Sequence, residues 1–295
     1  MAVTDYIFQE ETVEKRNFGA WLVAKMVAAG WQQVGSNPPT ALNDPVSKFY
    51  VMKTKRDADN AEAYIGLQDF NFRNNTSSYS LVLNIELLND YTPGTAGTAG
   101  TSTRTLSRMT VNPSNGIGTY GLAGINTAAY PLDTPLSIRF CITKTNVTLF
   151  VRLPSTYNLS GQMLFFGLPD FLQKEKVAGG SVCWGTGSAG AGNDGPIVCD
   201  STPGTPANTI MSEATGRWLD PQKSPDAAGQ FPLVPFFVGG TDTGMRHRMP
   251  SCFVLKTGGI LDRDIIQVGG MNFEIMSAYS SLADVITNTF AYRIS

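Results

Sequence analysis

Charged residues are scarce in this chain of 295 residues. They make up 16% of it, against roughly 25% in an average globular domain, while hydrophobic residues make up 42%. So few charges are typical of surfaces that become buried against other subunits, and also of secreted β proteins. The net charge of −2, without a long basic cluster, predicts no direct nucleic-acid binding.

Histidine and cysteine are also rare, which argues against metal chemistry. His247 is the only histidine, and no two of the four cysteines (Cys141, Cys183, Cys199 and Cys252) stand two to four residues apart. A zinc site needs soft ligands clustered in pairs, so we expect no metal and no cofactor. Because free cysteines are usually buried, we expect these to be reduced core residues.

Long hydrophobic runs are missing as well. No stretch approaches the ~20 apolar residues of a membrane span. Residues 1–5 are not a cationic segment followed by an apolar run, as a secretory signal would be. We therefore expect a protein without membrane contact that is synthesised in a cytoplasm.

Two motifs resemble catalytic or cofactor sites but lack the context that their chemistry needs. Residues 185–190 have the glycine spacing of a dinucleotide fingerprint, which requires a helix N-terminus directly behind it. Residues 191–196 contain Gly and Pro and cannot sustain that helix, so we predict a loop. His247 stands between two arginines, and the chain has no Gly-x-Ser-x-Gly elbow, so we predict no catalytic role for it.

Asp262 and Asp264 stand on either side of Arg263, and Glu274 follows nearby. Paired carboxylates are the catalytic groups of glycosidases, so these residues raise the alternative of a cell-wall hydrolase. A solvated turn before the next strand explains them more simply, and they lack the ligand spacing of a calcium loop. We expect no catalytic residues and no enzyme.

Periodicity predicts one helix near the start and strands afterwards. Apolar residues at helical spacing, with Thr12 as a cap and Gly30 as a stop, predict a helix over residues 13–29. Alternating apolar residues at 79–87 and 136–142 predict half-buried antiparallel strands. Further strands are predicted at 49–52, 63–67, 147–153, 163–168, 234–238, 252–255, 265–268, 271–276 and 286–293.

Turn and loop signals complete the predicted organisation. Gly269-Gly270 between two strand patterns predicts a tight hairpin. Residues 92–105 and 185–232 are rich in Gly, Pro, Thr and Ala, and loops of this length suggest arms that order on adjacent subunits. No linker separates two halves, so we predict a single β-rich structural domain over 1–295. Its fold class is mainly β, an antiparallel β-sandwich-like domain with one N-terminal helix and long loop insertions.

Three short segments resemble landmarks of a virion structural protein family of tailed bacteriophages. Residues 165–169 (FFGLP) resemble a Leu-Gly-Phe-Leu-x-Pro element of that family, and residues 217–220 (RWLD) resemble its Gly-x-Trp-Leu-Asp loop. The ending at 289–293 (TFAYR) resembles its last, aromatic strand. With weaker likenesses elsewhere, the resemblance covers roughly half of the chain as separate landmarks.

The resemblance implies a virion structural protein, with a neck or collar component around the head–tail connector as the first expectation. Its implied partners are copies of itself in a symmetric ring and other virion proteins of the connector, tail or baseplate. A baseplate or tail-tip component, a capsid decoration protein, a receptor-binding module and a cell-wall hydrolase stay open as alternatives. Trp218 and Leu219, with Trp184 and Trp31, are the candidate interface residues, because aromatic side chains are enriched in interfaces.

Overall fold

A computed structural model describes about half of the chain. The described residues are 6–37, 48–69, 83–88, 90–94, 100–101, 105–109, 132–152, 162–168, 182–185, 197–200, 233–240, 244–255, 261–277 and 289–295. Within them, one α-helix, α1 (Phe18–Ala28), follows a 3₁₀ turn at Lys15–Asn17. The strands are β1 (Gln9–Glu14), β2 (Gln32–Asn37), β3 (Lys48–Lys55), β4 (Glu62–Asp69), β5 (Leu83–Leu88), β6 (Thr105–Met109), β7 (Pro135–Ile142), β8 (Asn146–Arg152), β9 (Gln162–Gly167), β10 (Val182–Gly185), β11 (Ile197–Asp200), β12 (Val234–Gly240), β13 (Gly244–Leu255), β14 (Ile265–Val268), β15 (Met271–Ser277) and β16 (Thr289–Arg293).

The strands form three sheets, and every pairing in them is antiparallel. The central sheet has the order β1-β7-β8-β9-β10-β11, and the helix-side sheet has the order β2-β3-β4-β5-β6. The C-terminal sheet has the order β12-β13-β16-β15-β14. This architecture confirms the predicted fold class, mainly β with one short N-terminal helix.

The central sheet has a hydrophobic core on each of its faces. Every residue of β8 is buried, as expected for a strand covered on both sides. Val147 and Leu149 belong to a core with α1 and the helix-side sheet. Phe150 faces the other way and belongs to a core with Phe290 of the C-terminal sheet. The alternating side chains of one strand therefore join all three sheets.

The predicted helix over residues 13–29 is wrong in its first turn and correct at its end. Thr12 is not a cap but part of β1, which pairs with β7 and buries Val13 opposite Leu136. Sheet pairing and burial of Val13 therefore override the helical pattern, and α1 begins only at Phe18. The predicted stop is confirmed, because Gly30 adopts a φ of +100° directly after the helix.

A carboxylate from β4 occupies the N-terminus of α1. Asp69 is buried, and its Oδ2 accepts a hydrogen bond of 3.2 Å from the backbone N–H of Gly19. A Cβ at Gly19 would lie 2.2 Å from the same oxygen, so only glycine permits this approach. Buried Lys15 lies close enough for its charge to interact with Asp69. The carboxylate thus compensates both the helix dipole and a buried cation.

Most of the predicted strands are present, and the twin-glycine hairpin is confirmed. Gly269 and Gly270 have φ values of +58° and +81°, and Val268 pairs with Met271 across them. The residues directly after Trp31 have no strand pattern in the sequence, yet Gln32–Asn37 form β2 and pair with β3. Its polar residues carry no apolar alternation, so only the partner strand determines its conformation.

The arm predicted at 92–105 has a base that closes on itself. Thr92 and Thr101 exchange two backbone hydrogen bonds of 2.8 and 2.9 Å, and the Tyr91 hydroxyl accepts the N–H of Gly100. Residues 95–99 and 102–104 of the predicted arm lie outside the described residues, and its ordering on an adjacent subunit stays a prediction. The following β6 pairs with β5 and brings the two ends together. In the second predicted arm, 185–232, residues 197–200 form strand β11 instead of a loop, and residues 186–196 and 201–232 lie outside the described residues.

Candidate assembly surface

Three of the five exposed large apolar side chains of the described residues lie at one edge of the C-terminal sheet. β14 is the edge strand there, and Ile265 and Val268 are 62% and 44% exposed. Leu261, just before the strand, is 69% exposed. We call Leu261, Ile265, Val268 and the backbone of β14 the β14 edge surface. Water solvates apolar groups poorly, so burying this surface against another protein would be favourable.

Two turns hold β14 in place. At one end, Gly269 and Gly270 supply the positive φ values of a tight hairpin. At the other end, the Asp264 carboxylate accepts the Leu261 N–H at 2.7 Å, and the N–H of Arg263 donates to the Ile275 carbonyl at 2.8 Å. The strand is therefore fixed in position although its side chains are largely exposed.

Two of the other described edges, β1 and β2, are charged or polar, and the remaining three, β6, β11 and β12, lie against one another. β1, an edge of the central sheet, carries Glu10, Glu11 and Glu14. β2, an edge of the helix-side sheet, consists mostly of Gln, Ser, Asn and Gly. At the remaining edges, β11 contacts both β6 and β12. Charge on an edge strand hinders pairing with another chain, so β14 is the edge best suited to a protein contact.

A buried ionic network lies directly behind this edge, between the central and C-terminal sheets. Glu274, paired with Ile265 in the sheet register, is 4% exposed. Its carboxylate accepts a 2.6 Å hydrogen bond from Arg139 Nη2 and another from Arg152 Nη1. The same Arg139 Nη2 lies 2.8 Å from the Glu10 carboxylate of β1. Glu274 therefore links two strands of the central sheet to β15.

Arg152 connects the network to the turn before β14. Its Nη2 lies 3.4 Å from Asp262 Oδ1 and donates to the Ile275 carbonyl at 3.1 Å. Its Nη1 also donates to the Tyr292 hydroxyl at 3.3 Å. A guanidinium can make several such hydrogen bonds because its donors point outward in one plane. Arg152 thus positions the turn that begins the β14 edge surface.

The electrostatics of the network favour charged Glu274. Burial by itself would raise the pKa of this carboxyl, but hydrogen bonds from Arg152 and Tyr292 and the two arginine charges outweigh burial and lower it. Burial raises the pKa of the Tyr292 hydroxyl, which stays protonated. A buried ion pair of this kind joins secondary-structure elements, and each of its carboxylate oxygens is already hydrogen-bonded.

The acidic residues considered as a glycosidase pair have different roles in the structure. Asp264 holds the turn, Asp262 contacts Arg152, and Glu274 is enclosed by two arginines. The predicted turn before Ile265 is confirmed. The described residues contain no group of three or more His, Cys, Asp or Glu that could hold a metal ion. Among the same residues, no helix is long and apolar enough to cross a membrane.

Trp31, one of the predicted interface residues, lies away from this surface. Trp31 is 2% exposed, lies in the core shared with α1, and donates its Nε1 hydrogen to the Thr143 carbonyl at 2.7 Å. Trp31 is thus a core residue, and almost none of its surface can reach another subunit. Trp184 lies in β10 opposite Phe165 and Val198. Trp218 and Leu219 lie outside the described residues.

Sequence reasoning missed both the exposed edge and the network. Ile265, Ile266 and Val268 predicted a strand, but alternation within four residues could not show that it lies at an edge. A signal for the network was present, since Arg139 interrupts an apolar strand and Arg152 ends another. No protein-family model matches the sequence, and no curated protein matches it significantly.

Proposed function

We propose that the protein is a non-enzymatic structural component of a tailed-phage virion whose copies join through the β14 edge surface. The observation that supports assembly of the copies is the exposed edge strand β14. An edge strand presents unpaired N–H and C=O groups, and natural proteins protect such edges with charge, Pro or bulges. The four residues of β14 include no charge and no Pro, and their pairing with β15 has no register shift.

A second copy of this chain is the partner that we propose. With 16% charged residues, the chain has few charges to keep its copies apart. Two β1 edges would bring Glu10, Glu11 and Glu14 of one copy towards those of another, whereas β14 brings no such charges. A four-residue strand buries far less than the roughly 800 Å² per partner of a standard interface. Leu261 and neighbouring surface must therefore contribute to the contact.

The network behind the edge supports a mechanical rather than a catalytic role. Glu274 is enclosed and neutralised by Arg139 and Arg152, so it is poorly placed to meet a substrate. The same ion pairs tie the C-terminal sheet to the central sheet. A load applied at β14 would therefore pass into the body of the protein rather than into one hairpin.

The virion part of the proposal rests on the resemblance of residues 165–169, 217–220 and 289–293 to phage structural proteins. The location that we propose within the virion is a collar around the head–tail connector, formed by a symmetric multimer. The test is gold labelling of purified virions with an antibody against this chain, with pre-immune serum as the control. Label at the head–tail junction is expected. Label only at the baseplate would overturn the collar location, and virions that lack the protein altogether would contradict the virion role.

A further inference from the structure

The sheet register brings together two cysteines that are far apart in sequence. β10 and β11 are antiparallel neighbours, and their backbone pairs run from Val182 with Asp200 to Gly185 with Ile197. Within this ladder, Cys183 is the direct partner of Cys199. Spacing rules that look for cysteines two to four residues apart do not detect such a pair.

The Cα separation of direct partners in an antiparallel ladder lies within the range of disulfides. Their Cα atoms lie about 4.5 or 5.5 Å apart, depending on the hydrogen-bonding type of the pair, and both share one face of the sheet. Disulfides join residues whose Cα atoms are roughly 4.4–6.8 Å apart. We propose that Cys183 and Cys199 form a cross-strand disulfide once the protein is in an oxidising environment.

The oxidation balances with a small-molecule disulfide such as oxidised glutathione. The Cys183 and Cys199 thiols each lose a proton, and together they lose two electrons as the bond between their sulfurs forms. Oxidised glutathione accepts the two electrons and two protons and becomes two glutathione thiols. In a reducing cytosol the same exchange runs in the other direction. The bond would therefore form only where the protein meets an oxidising environment.

The bond would link β11, an edge strand of the central sheet, covalently to its neighbour β10. β11 is held in that sheet by β10, and it also contacts β6 of the helix-side sheet and β12 of the C-terminal sheet. A covalent link between β10 and β11 restrains the point where the edges of all three sheets meet. This role is independent of the proposed assembly through β14.

The two other cysteines provide an internal contrast. Cys252 is buried and Cys141 is partly buried, and both are free thiols, as the sequence predicted. Burial raises the pKa of Cys141 to about 12 and also raises that of Cys252, so both stay protonated. We expect neither to join a disulfide in the folded protein.

The test is peptide mapping of the folded wild-type protein after incubation with oxidised glutathione. Free thiols are alkylated in denaturant, and the unreduced protein is cleaved before aspartate. Cleavage at Asp170, Asp194 and Asp200 places Cys183 in peptide 170–193 and Cys199 in peptide 194–199. We expect these peptides to be linked and to separate on reduction, with Cys141 and Cys252 alkylated. Four alkylated cysteines, or links of Cys183 or Cys199 to other partners, would overturn the proposal.

Serine variants provide the matched controls. Cys183→Ser should abolish the linked peptide and leave Cys199 alkylated, whereas Cys141→Ser should leave the link unchanged. The main result comes from the wild-type chain, so it does not depend on the folding of a variant. A link that forms only after denaturation in oxidised glutathione would show that the native register does not direct it.

Discussion

Replacing Glu274 with Gln removes the negative charge between Arg139 and Arg152 and preserves the size of the side chain. Glu274 and Arg152 are each 4% exposed, so water cannot replace the lost charge. The Nε–H groups of both arginines already have no hydrogen-bond partner among the described residues. The variant therefore leaves Arg139 paired with Glu10 and Arg152 with Asp262, two partly exposed carboxylates that compensate the buried positive charges less well than Glu274 does.

We expect Glu274→Gln to lower the free energy of unfolding by about 3–5 kcal/mol, the usual cost of breaking a buried ion pair by removing one partner. That is a large share of the roughly 5–15 kcal/mol that stabilises a typical domain. Asp262→Asn is the matched control, because Asp262 contacts the same Arg152 but its side chain is 36% exposed. Solvent screens such a pair, so we expect a loss of less than about 1 kcal/mol.

Urea unfolding monitored by circular dichroism measures both variants, and its dependence on pH tests the cause. The pKa of Glu274 is lowered in the folded protein. The charge of Glu274 therefore contributes fully to the free energy of unfolding above the ordinary glutamate pKa of about 4.3. This contribution is lost as the pH falls through the lower pKa of the folded protein. Wild-type stability should decline over that acidic range more steeply than the stability of Glu274→Gln, which cannot titrate at this position.

Equal stability of Glu274→Gln and wild type at pH 7 would refute this reasoning. It would mean that the two arginines find other partners or that the sheets are not joined at this point. Equal losses in Glu274→Gln and Asp262→Asn would also contradict it, since burial is the property that distinguishes the two carboxylates.

Three further substitutions test individual parts of the fold by thermal or urea unfolding. Replacing Gly269 and Gly270 with Val should lower the free energy of unfolding by at least ~1 kcal/mol, because both glycines have positive φ. An unchanged melting temperature would refute the assigned turn. Gly19→Ala should cost about 1–3 kcal/mol, because the new Cβ collides with Asp69; a neutral effect would mean that the carboxylate can move away freely. Trp31→Phe should also destabilise, by about 1–3 kcal/mol, through a lost hydrogen bond and a cavity; no loss would contradict its place in the core.

Strands whose two faces differ could be predicted from the sequence alone. Leu136, Ile138 and Phe140 alternate with more polar residues, and each is buried in β7 as predicted. The hairpin at Gly269-Gly270 was predictable for another local reason, since twin glycines readily adopt the required φ values. In both cases the information lies within a few consecutive residues.

Features that depend on distant partners could not be predicted in this way. Val13 and Glu14, the last residues of β1, were assigned to the helix because the pairing of β1 with β7 joins residues more than a hundred positions apart. Glu274 was recognised only as an acidic residue, because Arg139 and Arg152 reach it from another sheet. The exposure of Ile265 is likewise a property of sheet order, since the same residues in a middle strand would be buried.

Sedimentation velocity of the purified chain tests the central claim, that copies assemble through β14. We predict that wild type forms a discrete oligomer and that the double variant Ile265→Lys, Val268→Lys is a folded monomer, because charges on an edge strand oppose pairing. Val27→Lys is the matched control, since Val27 is 47% exposed on α1 and should leave the oligomer intact. A monomeric wild type, or an oligomer that survives both lysines on β14, would contradict the account.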